Sequence, residues 1–332
     1  MPIIKSLRKR HDQKETEKVS YAPPLKITGG DKVYTAGGYT VHLFLTPGEH
    51  QFKIEPIQPL AKEAMGLIVD RTMEMLVVGG GGAGGQYSGG AGGGEVLYIS
   101  RNLGTGTFPL NVAAAVAGDN GYWSSAKCGN VTTAFGETAK GGGSGRGSDD
   151  TIPANPYTPV ANGGAGSSRT PGYGGQQGTS VGTGVTRHGG FRGGQENNPV
   201  NDSPNYPGNG GGGAGQSITG NTGGGGNGGP GGSGVAYSLT GTSFYWGGGG
   251  GGQTYYGGQG GAGGLGGGAA GSGGNGGNTG GTGFNPGGNT SGSSVGAAAG
   301  ANTGGGGGSG NGQNGSAGGA GGSGIVVVRY ST

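Results

Sequence analysis

Between Gly141 and Gly324 the chain is dominated by glycine, and no ordinary hydrophobic core can be built there. Most of the 99 glycines lie in this tract, which peaks in the runs 247–252 and 304–308. Glycine loses the most backbone entropy on folding. Without apolar burial to offset that loss, a glycine/serine chain behaves as a flexible linker. The tract must either stay disordered or order itself through its backbone.

Three features favour order. Short apolar pieces interrupt the tract, among them Gly234-Val235-Ala236-Tyr237-Ser238-Leu239 and Ser243-Phe244-Tyr245-Trp246. It is poor in charge. It ends in Ile325-Val326-Val327-Val328, a strand that needs partners far upstream. Glycine can form the polyproline II helix, with three residues per turn and no internal hydrogen bonds. Bare helices of this kind can lie together and pair their N–H and C=O groups laterally, as buried backbone requires. Residues 257–265 read Gly-Gly-Gln, Gly-Gly-Ala, Gly-Gly-Leu, a three-residue period. Collagen is excluded, because the triplet register breaks repeatedly and proline is scarce.

Apolar residues concentrate in 20–135 and 325–330. Lys32-Val33-Tyr34 and Tyr39 to Leu45 read as strands. Thr46-Pro47-Gly48-Glu49 is a turn, after which His50 to Ile54 returns as the second arm of a hairpin. Further strands follow at Met73–Val78, Glu95–Ile99, Thr107–Val116 and, more weakly, Val131–Phe135. Leu60, Ala64, Leu67 and Ile68 have helical spacing, which allows a short helix within 56–72. Four consecutive apolar residues at 325–328 predict a central strand covered on both faces, with Met75–Val78 as its natural neighbour. The predicted fold is mainly β: an antiparallel, jelly-roll-like β-sandwich over 25–140, completed by 325–330. The tract 141–324 is a polyproline/polyglycine II-type insertion that carries display loops.

Several function classes are weakened by composition. Net charge is only +3, with no large field of one sign. Cys128 is the only cysteine, so no intrachain disulfide framework exists. No apolar run approaches the length of a membrane helix, and membrane insertion is not expected. Gly79-x-Gly81-x-x-Gly84 after a strand matches the dinucleotide fingerprint formally. The glycine-rich sequence that follows cannot open the helix that would hold a pyrophosphate, so no cofactor is expected. His42 and His50 have no further ligand to complete a metal site. His188 has no acid nearby, and no nucleophile sits on a strand-to-helix elbow. The sequence therefore points away from an enzyme. Arg-Gly-Gly units are nearly absent, which argues against nucleic-acid binding, and no flat Thr/Ala face of an ice-binding protein is evident.

The order of these elements resembles the glycine-rich domain proteins of tailed bacteriophages, which serve as tail fibres or virion structural proteins. The likeness rests on the Tyr39–Phe44 strand, on Glu74-Met75-Leu76-Val77-Val78 running into Gly79–Gly82, and on the terminal Gly322-Ser323-Gly324 followed by Ile325–Tyr330. It covers about residues 31–332. The tract also resembles the tips of fibre adhesins, whose polyglycine II helices display host-binding loops. This resemblance implies a virion protein assembled in the host cytoplasm, with a homotrimeric state. Its implied partners are a host cell-surface glycan or outer-membrane protein. The charged segment 1–24 is either an arm that docks on other virion proteins or a solvated terminus. The alternative is a purely structural role as a head fibre, decoration or collar protein.

Aromatic rings beside small and amide residues make stiff contact surfaces. On that ground Tyr206, Tyr245, Trp246, Tyr255 and Tyr256 are the receptor-binding candidates. The competing expectation, strongest for Phe244 and Trp246, is that such rings pack over the glycine helices and shield them.

Overall fold

The structure, a computed structural model, describes residues 25–57, 71–118, 127–145, 182–194, 207–218, 226–255, 257–275, 278–291, 295–311 and 316–332. The expected arm 1–24 and the possible helix near 60–68 lie outside these residues. All regular elements among them are strands: β1 (Leu25–Thr28), β2 (Lys32–Ala36), β3 (Tyr39–Phe44), β4 (Gly48–Pro56), β5 (Arg71–Val78), β6 (Val96–Leu103), β7 (Gly106–Val112), β8 (Thr132–Ala134), β9 (Glu137–Ala139), β10 (Val185–His188), β11 (Val235–Tyr237), β12 (Phe244–Trp246) and β13 (Ile325–Ser331).

The strands form two larger antiparallel sheets and a short hairpin. One sheet has the order β1-β4-β7-β8-β9, the other β10-β6-β5-β13-β3-β2, and β11 pairs with β12. Side chains alternate across a strand. Phe52, Ile54, Leu110 and Val112 from the first sheet therefore meet Phe44, Met75, Val77, Leu97, Val326 and Val328 from the second in one core. This is the expected β-sandwich. The β3–β4 hairpin of the sequence reading does not form, because β3 and β4 lie in different sheets. The turn after Phe44 instead carries the chain from one layer to the other. Phe44 and Phe52 then meet edge to face, with ring centroids 6.4 Å apart.

The opposite face of the six-stranded sheet is covered as well. Val41, Leu43, Leu76, Val78, Val96, Ile325 and Val327 pack against Ala214, Leu239 and Trp246. This second layer explains the uninterrupted apolar run 325–328, whose alternate residues bury into different cores. β13 pairs with β5 as the sequence predicts, with Ile325 opposite Val78 and Val328 opposite Met75.

Where strands end, glycine segments continue. Their hydrogen bonds rotate with a period of three residues. Gly79 and Gly82 donate to Glu95 and Gly92, Gly80 and Ala83 to Asn130 and Lys127, and Gly81 and Gly84 to Gly322 and Gly319. Each step of three along the donor matches a step of three back along the acceptor, so these three neighbours run antiparallel. Gly90 and Gly93 donate instead to Asn209 and Gly212, a parallel neighbour. A backbone with three residues per turn and no bonds to itself directs its N–H groups in this way. The close approach demands glycine: a methyl group at Gly250 would overlap the carbonyl of Gly307, and one at Gly81 the carbonyl of Gly305.

The boundary between strands and glycine segments is not at residue 140. Residues 79–95 and 127–130 share the backbone bonding of the later glycine segments. In the other direction, β10 and the β11–β12 hairpin leave the tract to pack on the six-stranded sheet. Side chains knit the junction. The Thr132 hydroxyl donates to the Val78 carbonyl at 2.7 Å and accepts from the Ala113 N–H. Asn302, held at φ 56°, donates to the carbonyls of Leu45 and Gly324.

Candidate functional site

The glycine segments have a near end on the sandwich and a far end. A polyproline II rise of ~3.1 Å per residue from Trp246 would put Tyr255 roughly 28 Å away, at the far end. Tyr87 stands at the corresponding turn of the first segment, in left-handed conformation (φ 49°). The Ser88 hydroxyl braces that turn by accepting the Gly85 N–H, and the Tyr87 N–H donates to the Gly310 carbonyl. The rings of Tyr87 and Tyr255 lie 5.4 Å apart, both half-buried. Other turns gather nearby. Gly208 lies against Ser88, Gly258 against Gly226, and Asn275 donates to the Gly258 carbonyl. The Ser316 hydroxyl donates to the Asn311 side chain.

A layer of buried polar side chains underlies this far end: Gln86, Ser88, Asn209, Gln253, Thr254, Ser272, Ser309 and Asn311. The near end is apolar and aromatic. Trp246 stacks on Phe284 at 5.5 Å and meets Phe244 edge to face. The far end combines small polar residues with tyrosine.

The five sequence candidates do not form one patch. Tyr255 is at the far end. Tyr206 and Tyr256 lie outside the described residues. Tyr245 is at the near end, 39 % exposed on the outer face of the β11–β12 hairpin opposite Ala236. Trp246, the next residue, is fully buried in the second core, which removes it as a contact residue. Alternation along β12 is the cause: Phe244 and Trp246 face the sheet, and Tyr245 faces away. Tyr87 was not singled out from the sequence. Its signal is a lone tyrosine where two glycine runs meet.

Other clusters of ionisable groups are engaged internally. Buried Glu137 takes Arg101 at 2.5 Å on one oxygen and Arg187 at 2.8 Å on the other. Arg187 also reaches buried Glu95 at 3.2 Å, and Glu95 accepts the Lys140 N–H. This network clamps β10 onto the sandwich. On the outer face of the six-stranded sheet the Tyr98 hydroxyl donates to Glu74 at 2.5 Å, and Arg329 binds the same carboxylate while lying over the Tyr39 ring. Burial first, then the hydrogen bond and charge of Glu74, push the Tyr98 hydroxyl up to about 12. His188 bonds the Tyr237 hydroxyl at 2.7 Å, and burial holds its pKa below 6.5. Among the described residues no group of three or more His, Cys, Asp or Glu side chains is placed to hold a metal ion, and no helix is long and apolar enough to cross a membrane. No protein-family model matches the chain, and no curated protein matches it.

Proposed function

We propose that this chain is a non-enzymatic virion protein of the tail-fibre or adhesin kind, which presents receptor-binding loops at the far end of a polyglycine II-type scaffold. One observation carries the reading. The turns of successive glycine segments collect at the pole away from the sandwich, where Tyr87 and Tyr255 pair. Backbone bonding fixes the helices without side chains, so turn sequences can vary while the scaffold stays the same. Loops on a rigid framework are where binding residues concentrate. In this account the sandwich is the base and the site of trimer formation. Residues 1–24 attach the chain to the particle. The target is a glycan or outer-membrane protein of the host bacterium, and Tyr87, Tyr206, Tyr255 and Tyr256 are its contact candidates.

The test uses fluorescent full-length protein on host cells, beside a Tyr87→Asn/Tyr255→Ser variant whose melting is checked. The reading expects saturable binding that falls at least about tenfold in the variant, the loss of ~1.4 kcal/mol. Presence on virions without any cell binding would instead make the chain a structural component, such as a head fibre, decoration or collar protein.

A further inference from the structure

We infer that the outer face of the five-stranded sheet carries a second binding site, for a neutral saccharide. An open cleft of about 580 Å³ lies there, lined by Glu49, His50, Gln51, Pro109, Leu110, Asn111 and Thr133. Its volume is within the range of small-molecule sites. The lining is set by strand register. Glu49 faces Asn111, Gln51 faces Pro109, and Asn111 faces Thr133, so their side chains emerge together on three adjacent strands. The alternate residues Phe52, Val112 and Ala134 point into the sandwich core.

The polar groups of the cleft are available to a ligand. On the outer face of the other sheet, polar side chains satisfy one another: Thr72 with Asn102, and Tyr98 and Arg329 with Glu74. In the cleft, the side chains of Glu49, Gln51, Asn111 and Thr133 make no hydrogen bond or ion pair among the described residues. Two amides and a hydroxyl both donate and accept, and a carboxylate accepts. Pro109, exposed on the same face, supplies an apolar surface beside them. A sugar ring has the complementary surface, with hydroxyls that donate and accept around its rim and C–H groups on its face.

Charge narrows the class. The cleft has one carboxylate and no lysine or arginine, and the Nε2 of His50 is held by the Thr46 carbonyl at 2.7 Å. Within the lining, phosphorylated or acidic sugars therefore meet Glu49 and no cationic side chain of lysine or arginine. The site is on the wall of the sandwich, away from Tyr87 and Tyr255, and does not depend on what the far end binds.

The experiment is a backbone-amide NMR titration of the full chain with maltotriose, cellotriose and tri-N-acetylchitotriose, and separately with trigalacturonate. The same titrations are run on a Gln51→Ala/Asn111→Ala variant. These side chains bond to nothing in the fold, so the variant folds as the parent does. The expected result is shifts confined to the amides of 49–51, 109–111 and 133 with at least one neutral trisaccharide. The response should weaken about tenfold or more in the variant, and trigalacturonate should give none. The inference is overturned if no neutral trisaccharide moves these amides, if trigalacturonate moves them equally, or if the variant responds like the parent.

Discussion

Val78 and Ile325 face each other across the β5–β13 ladder, and each is the strand residue that adjoins glycine. Gly79 leaves the sheet from Val78, and Gly324 returns to it at Ile325. Between them the glycine segments leave and re-enter the sandwich, with β6 to β10 returning to its two sheets. The same strands that stabilise the sandwich set the spacing of the first and last glycine segments. Gly81 and Gly84 continue the pairing by donating to Gly322 and Gly319. A ladder of strands passes directly into a lattice of hydrogen-bonded glycine segments.

If close backbone approach makes glycine obligatory, substitution cost should follow the space at each site. Gly250→Val drives a side chain into the Gly307 carbonyl. It should cost about 3 kcal/mol or more, as overpacking and lost backbone bonds combine. Gly106→Ala meets only the Phe108 ring at 3.5 Å and should change stability by about 0.5 kcal/mol or less. Urea denaturation midpoints of the two variants make the comparison.

Arg187 neutralises two carboxylates that have almost no solvent access. Arg187→Met leaves Glu95 and Glu137 short of a partner and should destabilise by about 3–5 kcal/mol. Adding Glu95→Gln to that variant should recover part of the loss. A double-mutant cycle in urea reads the coupling.

Trp246 and Tyr245 are neighbours in sequence with opposite environments. Trp246→Ala empties a fully buried site and should cost about 3–5 kcal/mol. Tyr245→Ala should cost well under that, about 0.5 kcal/mol. Equal effects in thermal melts would contradict the packing of the second core.

Stability should fall on the acid side in two stages. Burial holds His42 below 6.5, against the opposing hydrogen bond to Gly29, and burial does the same to His188. A lowered folded pKa means the unfolded chain takes up the proton first. Their contribution is thus intact above 6.5 and drains away as the pH falls from there towards the folded values. Asp31 acts lower. Burial raises its pKa, but the N–H groups of Thr46 and Leu45 outweigh this and hold it below 3.8, so its share is lost only in stronger acid. At the other extreme, Tyr98 is raised from 10.0 to about 12, and stability should drain between those values as the unfolded chain ionises first. Denaturation midpoints across pH, with His42→Gln flattening the first acid limb, check the sign.

The strands were legible in the sequence where burial left a pattern. The run 325–328 and its neighbour Met75–Val78 announced a doubly covered pair, and that pair forms. The sheet change after Phe44 was not legible, because a Pro-Gly turn has the same local chemistry in a hairpin and in a crossover. The extent of the glycine lattice was missed for a related reason. Residues 79–95 bond through their backbones, and no side-chain period marks which glycines do so. β10 is four residues inside a glycine tract. Its tie to the sandwich through Arg187, Glu95 and Glu137 becomes visible only in the fold. At the far end, Tyr255 was read as an aromatic ring beside amide and small residues. Tyr87 was not, because its place becomes evident only when two distant turns meet.

The central claim is that the glycine segments form a hydrogen-bonded lattice rooted in the sandwich. Hydrogen exchange of the purified full chain tests it most directly. The account predicts protected amides in 79–84, 90–94, 247–252, 261–272 and 304–310, comparable with those of β5 and β13. Exchange of those glycine amides within seconds, with β5 and β13 still protected, would contradict it.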